Sequence, residues 1–208
     1  MRAQTKALAA ALAAALAFTG LQPAAAADAS ALVGLEEAEY AIDSDNDGLP
    51  DDWETEGVVF PDGTELALPD WGVDPNRPDL FLQLNWMEDG NGRSFAPSAS
   101  ILKDLVDLFD AHGINLHIDA GAYYSNIPGI ERHGGQTVDY APYYFDGEVP
   151  GVRLVNDRKN LLGPRQSVFR IGVIGDQIDE NNLATGASLV NDNSFFVANH
   201  RFVNTQDK

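Results

Sequence analysis

One stretch of twelve residues decides how this chain is organised: residues 43–54 read DSDNDGLPDDWE. Aspartates occupy its first, third and fifth positions, a glycine the sixth and a glutamate the last. This spacing matches the loop pattern D-x-[DN]-x-[DN]-G-x5-E at every fixed position. Calcium takes about six to eight oxygen ligands, so several carboxylates must come from one short turn. The stretch therefore predicts a calcium-binding loop.

The predicted ligands have distinct roles. Gly48 permits the sharp bend, because glycine tolerates positive φ. Leu49 would offer its main-chain carbonyl, Asp51 would bind directly or through water, and Glu54 would close the shell with both carboxylate oxygens. A solvated acidic turn without metal is the alternative, but carboxylates packed this densely repel one another strongly unless a cation is present. The complete predicted set is Asp43, Asp45, Asp47, Leu49, Asp51 and Glu54.

Pro50 indicates that the loop works alone. In paired calcium loops of the EF-hand type, the backbone N–H at this position bonds to the partner loop, and proline has no N–H. No second copy of the pattern occurs in the sequence. A solitary extracellular loop binds calcium weakly, with a Kd of about 10⁻⁴–10⁻³ M. This affinity suits a structural clamp better than a sensor.

Residues 1–27 have the features of a secretory signal peptide. Arg2 and Lys6 form a basic start, residues 7–18 form a short apolar run, and residues 25–27 offer a small-residue cleavage site. A membrane anchor is the alternative, but this apolar run is too short to span a bilayer. We therefore expect a soluble, secreted, extracellular protein, in which residues 28–42 form an acidic linker or short helix before the loop.

Charge and cysteine content narrow the class of protein. The formal net charge is −19 and becomes −21 once Arg2 and Lys6 are removed with the signal peptide. Such an acidic balance argues against nucleic acid and anionic membranes as partners. The chain has no cysteine, which excludes disulfides and thiol chemistry. Calcium can then take over the stabilising role that disulfides have in many exported proteins.

Residues 79–119 predict a strand, a helix and a strand. Residues 79–87 are almost continuously apolar, which is typical of a buried central strand. Ser98 is a candidate helix cap, and apolar residues recur at helical spacing over residues 101–109. Residues 114–119 alternate apolar and polar side chains, as in a half-buried strand. A short return of this kind predicts a parallel βαβ unit.

The predicted fold class is α/β, with a small mixed sheet, one βαβ unit and one main helix. A calcium-loop lobe, residues 43–78, precedes the α/β region of residues 79–208 and includes a hairpin with an Asp-Gly turn. Residues 120–165 are rich in Gly, Pro and Tyr and predict a long irregular segment, which is either a functional loop or a poorly ordered insertion. Two further strands are expected at 168–174 and 194–198, with a polar loop between them.

The order of these segments resembles secreted bacterial zinc metalloproteases of the metzincin type. Besides the calcium loop, the resemblance rests on GVDPNRPDLFLQLNWM (72–87), GINLHIDAG (113–121) and VFR (168–170). It implies a protein or peptide substrate in a full-length relative. The calcium stretch alone also resembles thrombospondin-type repeats and the calcium module of binary-toxin translocation components.

The catalytic signature of that family is absent from the sequence. An H-E-x-x-H helix binds zinc through two histidines one turn apart, and His112, His117, His133 and His200 form no such pair. The resemblance thus implies a chain that stops before the zinc helix, binds calcium and cleaves nothing. Zinc is expected only if the missing part exists. Without that helix, Phe195 and Phe196 or neighbouring residues are expected to be exposed or under-packed.

Three other interpretations stay open at this point. His117 and Asp119 share a strand face and are a conceivable metal or acid–base pair, although a hydrogen-bonded strand histidine is favoured. The chain can also be a complete, non-catalytic calcium-dependent binding protein that uses its tyrosine-rich loop as a contact surface. Alternatively, it is one component of a secreted toxin-like assembly.

Overall fold

The computed structural model describes residues 41–145, 151–181, 184–190 and 192–199. The predicted signal peptide, nearly all of the acidic linker at 28–42, and His200 lie outside these residues. No helix in the described ranges is both long and apolar enough to cross a membrane.

The described residues form three α-helices and eight strands, with a 3₁₀ turn at each of Leu68–Trp71 and Gly163–Ser167. The helices are α1 (Asp51–Glu56), α2 (Ala99–Asp110) and α3 (Val152–Leu162). The strands are β1 (Val58–Val59), β2 (Glu65–Leu66), β3 (Asp79–Met87), β4 (Asn115–Asp119), β5 (Thr137–Val138), β6 (Phe169–Gly175), β7 (Gly186–Ser188) and β8 (Ser194–Ala198).

A six-stranded sheet forms the centre of the fold. Its order is β4-β3-β6-β8-β7, and β5 pairs with the end of β3. Every pairing is parallel except that of the edge strand β7 with β8. The predicted βαβ unit is confirmed, since β3 and β4 pair in parallel with Leu80 opposite Leu116. The α/β fold class is likewise confirmed.

Helix α2 begins where its capping residue predicts. The Ser98 hydroxyl accepts a hydrogen bond from the Ile101 N–H at 3.3 Å, which satisfies one free donor of the first turn. Leu102 and Leu105 are fully buried against the sheet. The amphipathic pattern of residues 101–109 therefore predicts correctly which side of the helix faces the core.

Helix α3 and strand β7 lie in segments that the sequence predicts to be irregular, so both predictions are wrong. The sequence predicts an irregular segment over residues 120–165, but α3 occupies 152–162, between Gly151 and Gly163, both of which have positive φ. Among its residues only Leu154 and Leu162 are buried, so no apolar repeat marks the helix in the sequence. Strand β7 has the composition Gly-Ala-Ser and forms through its pairing with β8. Both elements depend on tertiary contacts.

The expected exposure of Phe195 and Phe196 is wrong, because both side chains are buried. The Phe196 ring stacks on the Tyr144 ring with centroids 4.2 Å apart. The Phe195 ring fills the space above Gly172, where a Cβ added to the glycine would lie 2.6 Å from the ring. The sheet and the segment around Tyr144 thus cover the two rings.

The lobe formed by residues 43–78, called the N-terminal lobe below, packs against the start of β3 and β6. The predicted hairpin is confirmed, since β1 and β2 are antiparallel with Val58 opposite Leu66. Helix α1 ends at Gly57, whose N–H bonds to the Trp53 carbonyl. One apolar cluster joins the lobe to the sheet and includes Leu49, Leu66, Leu68, Trp71, Phe81, Phe169 and Ile171.

Candidate metal centre

Local hydrogen bonds fold the predicted loop so that its carboxylates converge. Asp43 accepts bonds from the backbone N–H groups of Asn46 (2.8 Å) and Gly48 (3.0 Å). Asp45 accepts one from the Asp47 N–H at 3.2 Å. Gly48 has φ +95°, in the left-handed region that glycine adopts without strain. The bend predicted from the sequence is therefore present.

Two overlapping groups of carboxylates lie in and beside the loop. Oxygen atoms of Asp43, Asp45 and Asp47 lie within 4.8 Å of one another, and the same holds for Asp47, Glu54 and Asp79. Asp47 belongs to both groups. The structure thus brings together four of the predicted side-chain ligands and adds Asp79, which the loop pattern does not contain.

Glu54 is the most informative side chain of the centre. It comes from α1, is only 2% exposed, and neither of its carboxylate oxygens has a hydrogen-bond partner. The same is true of Asp45 Oδ2. An unpaired buried carboxylate is strongly destabilising. The buried oxygens therefore have the chemistry of ligands that face a cation.

The electrostatics of the metal-free centre favour protonation. Burial raises the pKa of Glu54 to about 8, and the charges of Asp47, Asp45 and Asp79 add to the effect. Burial also raises the pKa of Asp47 to about 6. Arg170 supplies positive charge near Asp47, but burial lowers the pKa of the Arg170 guanidinium. A divalent cation would reverse this situation, because it stabilises the ionised carboxylates.

We expect calcium binding at neutral pH to release protons, largely from Glu54. In the unfolded chain this glutamate titrates at its usual pKa of 4.5, and in the metal-free fold its pKa is about 8. Between these values the folded state holds a proton that the unfolded state lacks, so metal-free stability falls as the pH rises through this window. Calcium must displace that proton, so its affinity rises between about pH 6 and pH 8.

Calorimetric titration in two buffers of different ionisation enthalpy measures the proton release. The apparent binding enthalpy should differ between the buffers at about pH 7 and much less at about pH 9, where Glu54, with a pKa of about 8, has already lost its proton. Equal enthalpies in the two buffers at about pH 7 would contradict the assignment.

Two predicted ligands lie outside the carboxylate groups. The Leu49 side chain is buried in the apolar cluster, and its N–H donates to Asp47 Oδ1 at 2.7 Å; ligation by its carbonyl stays a prediction. Both carboxylate oxygens of Asp51 are engaged by Ser44, through the N–H at 2.8 Å and the hydroxyl at 2.7 Å. The Asp51 side chain thus closes the loop through two hydrogen bonds from Ser44.

Asp79 is a candidate ligand that the loop pattern does not contain. It is the first residue of β3, is 4% exposed, and its N–H donates to Asp47 Oδ2 at 2.6 Å. Its Oδ1 lies 2.7 Å from Asn115 Nδ2 and 2.5 Å from His117 Nε2. The available signal was an aspartate at the head of a buried strand that is mostly apolar.

The structure gives His117 and Asp119 separate partners. His117 bonds to Asp79, as expected for a hydrogen-bonded strand histidine. Asp119 is fully buried and accepts bonds from Arg165 Nη1 (3.0 Å) and from the His133 N–H (2.8 Å). These contacts describe a structural role for each residue.

The predicted tyrosine-rich contact surface is divided among several sites. Tyr123 packs on Trp86, whereas Tyr140 packs on Phe95. A separate cavity of about 610 Å³ has a polar helical face and tyrosines among its walls. None of the carboxylates of the metal centre lines it. Its walls include Tyr140, Tyr143, Tyr144, Arg153, Asn156 and Asn160.

Both carboxylate groups of the centre consist of oxygen donors only. Oxygen sets of this kind suit hard divalent cations such as calcium, whereas structural zinc sites use sulfur and nitrogen donors. Comparison of the chain with protein-family models, with curated proteins and with solved structures found no match.

Proposed function

We propose that this chain is a secreted calcium-binding protein in which the ion stabilises the N-terminal lobe. The observation that carries the proposal is Glu54, a buried carboxylate with two unpartnered oxygens beside Asp47 and Asp79. The loop pattern supplies the remaining carboxylates at the spacing that calcium requires. A structural role agrees with the weak affinity expected of a solitary extracellular loop.

Calcium fits this centre better than magnesium does. Magnesium demands near-ideal octahedral geometry and gives up its water reluctantly, so it usually keeps several water ligands. The oxygens of Glu54 and one oxygen of Asp45 are already buried from solvent. Calcium accepts more ligands in a less regular arrangement and is therefore the cation that a buried, carboxylate-rich site favours.

Calorimetric titration with calcium tests the proposal directly. We expect the wild-type protein to bind with a Kd of about 10⁻⁴–10⁻³ M. Asp45→Ala should lose this binding, because it removes a carboxylate from the centre of the loop. Asp70→Asn is the matched control, since Asp70 is an exposed aspartate of the same lobe outside the carboxylate groups. An isotherm that Asp45→Ala leaves unchanged would refute the proposal.

The relationship to metzincin-type metalloproteases is proposed at the level of architecture. The calcium loop is followed by β3, α2 and β4, the order on which the resemblance rests. This order supports a common plan for the region after the loop. The proposal assigns no catalytic residue and no zinc ligand to this chain.

A further inference from the structure

We infer that Asp79 is a calcium ligand and takes the place that the loop pattern assigns to Asp51, so that the ion joins the N-terminal lobe to the sheet. This inference rests on the proposed calcium binding and extends it to a residue outside the loop.

Asp51, the ninth residue of the loop, has hydrogen-bond partners within the loop. One of its oxygens accepts from the Ser44 N–H and the other from the Ser44 hydroxyl. It belongs to neither group of converging carboxylates. Its position outside both groups, rather than its hydrogen bonds, removes Asp51 from the converging donors, since both Asp79 oxygens accept hydrogen bonds as well. The ion is then short of one oxygen donor that the pattern predicts.

Asp79 supplies the missing donor from the sheet. One of its oxygens lies within 4.8 Å of oxygens of both Asp47 and Glu54. Calcium–oxygen distances of about 2.3–2.6 Å allow three oxygens at such separations to contact one ion. Glu54 is more than nine-tenths buried, and both of its oxygens lack partners. An ion held by Glu54 on this side is therefore within reach of Asp79.

Hydrogen bonds also hold the Asp79 carboxylate in position before any ion binds. Its Oδ2 accepts from the Asp74 N–H at 2.9 Å, and its Oδ1 contacts Asn115 and His117 of the neighbouring strand. The Asp79 N–H in turn bonds to Asp47. Metal-ligating carboxylates are typically oriented by hydrogen bonds of this kind. The arrangement is what a preorganised ligand requires.

The consequence is a cation that connects three segments: the loop, helix α1 and strand β3. Without the ion, the carboxyl groups of Asp47, Glu54 and Asp79 must either repel one another or hold protons at the boundary between the lobe and the sheet. With it, the same charges attract a common partner. Calcium binding should therefore dock the lobe onto the sheet as well as order the loop.

Calorimetric titration of Asp79→Asn and Asp51→Asn with calcium shows which of the two aspartates is the ligand. We expect Asp79→Asn to weaken calcium binding by about tenfold or more, which is the scale of losing or disturbing a ligand. Asp51→Asn keeps the shape that bonds to Ser44 and should weaken binding by a smaller factor. Wild-type affinity in Asp79→Asn, or a larger loss in Asp51→Asn, would overturn the inference and leave calcium binding by the loop intact.

Two further measurements cover the case in which Asp79→Asn folds poorly. In crystals of the wild-type protein grown with terbium, the anomalous peak should lie about 2.3–2.6 Å from an Asp79 oxygen; a separation too long for ligation would overturn the inference. In wild-type hydrogen exchange, calcium should protect α1 and the start of β3 together, and protection confined to the loop would contradict docking. Failure of the wild type to bind calcium at all would instead refute the proposed function.

Discussion

Removal of calcium with a chelator is expected to lower the melting temperature of this protein by several degrees. A ligand that binds only the folded state stabilises it by RT ln(1 + [L]/Kd), which is about 1.4–2.7 kcal/mol for free calcium at ten to a hundred times the Kd. For a domain of this size, each kcal/mol shifts the melting temperature by about 2–4 °C. The physical reason is that the metal-free fold must bury Glu54 and its neighbours without a counter-charge.

Thermal unfolding followed by circular dichroism, with and without calcium, measures this effect. Asp45→Ala should show a much smaller calcium-dependent shift, whereas Asp70→Asn should behave as the wild type. Magnesium at the same concentration should stabilise the fold less, because this ion gives up its water ligands reluctantly and the carboxylates are buried. An identical melting temperature in calcium and in chelator would contradict a stabilising role for the ion.

Asp119→Ala is expected to destabilise the fold by about 3–5 kcal/mol, the usual consequence of removing one partner of a buried ion pair. Asp119 is fully buried and accepts hydrogen bonds from Arg165, from the His133 N–H and from the Gly121 N–H. The Arg165 guanidinium packs over the Phe169 ring at 3.8 Å and is itself buried. Loss of Asp119 would leave this cation without its carboxylate partner inside the protein.

Urea unfolding in the presence of calcium measures the loss. Asp107→Ala is the matched control, because its ion pair with Lys103 is exposed and should contribute less than about 1 kcal/mol. Replacing Arg165 by methionine together with Asp119→Ala should recover part of the stability, since no unpaired charge then remains. A loss below about 1 kcal/mol in Asp119→Ala would show that the pair is not important for stability.

The elements predicted correctly are those in which local sequence and tertiary environment agree. Residues 79–87 form β3 with the predicted bounds, and Ser98 caps α2 as its position suggests. The apolar residues form a nearly continuous run in β3 and recur at helical spacing in α2, and most of them face the core. Helix α3 lacks such a pattern, and strand β7 is three residues long, so neither is visible in the sequence.

The bend of the acidic loop at residues 43–54 was predictable from the sequence. The aspartates of this loop lie two residues apart, and backbone N–H groups within the same twelve residues orient them. These hydrogen bonds join residues that are close in the chain, although Asp47 also accepts one from the Asp79 N–H. The identity of Asp43, Asp45 and Asp47 as converging carboxylates was accordingly predictable.

Only the tertiary structure decided what completes the centre and what surrounds it. Asp79 reaches Glu54 because the lobe docks at the start of β3, and Phe195 is buried because its strand pairs beside Gly172. Both contacts join residues that are distant in the chain. Patterns of spacing describe neighbours along the sequence, whereas parallel strand pairing and lobe docking bring together residues that no local pattern connects.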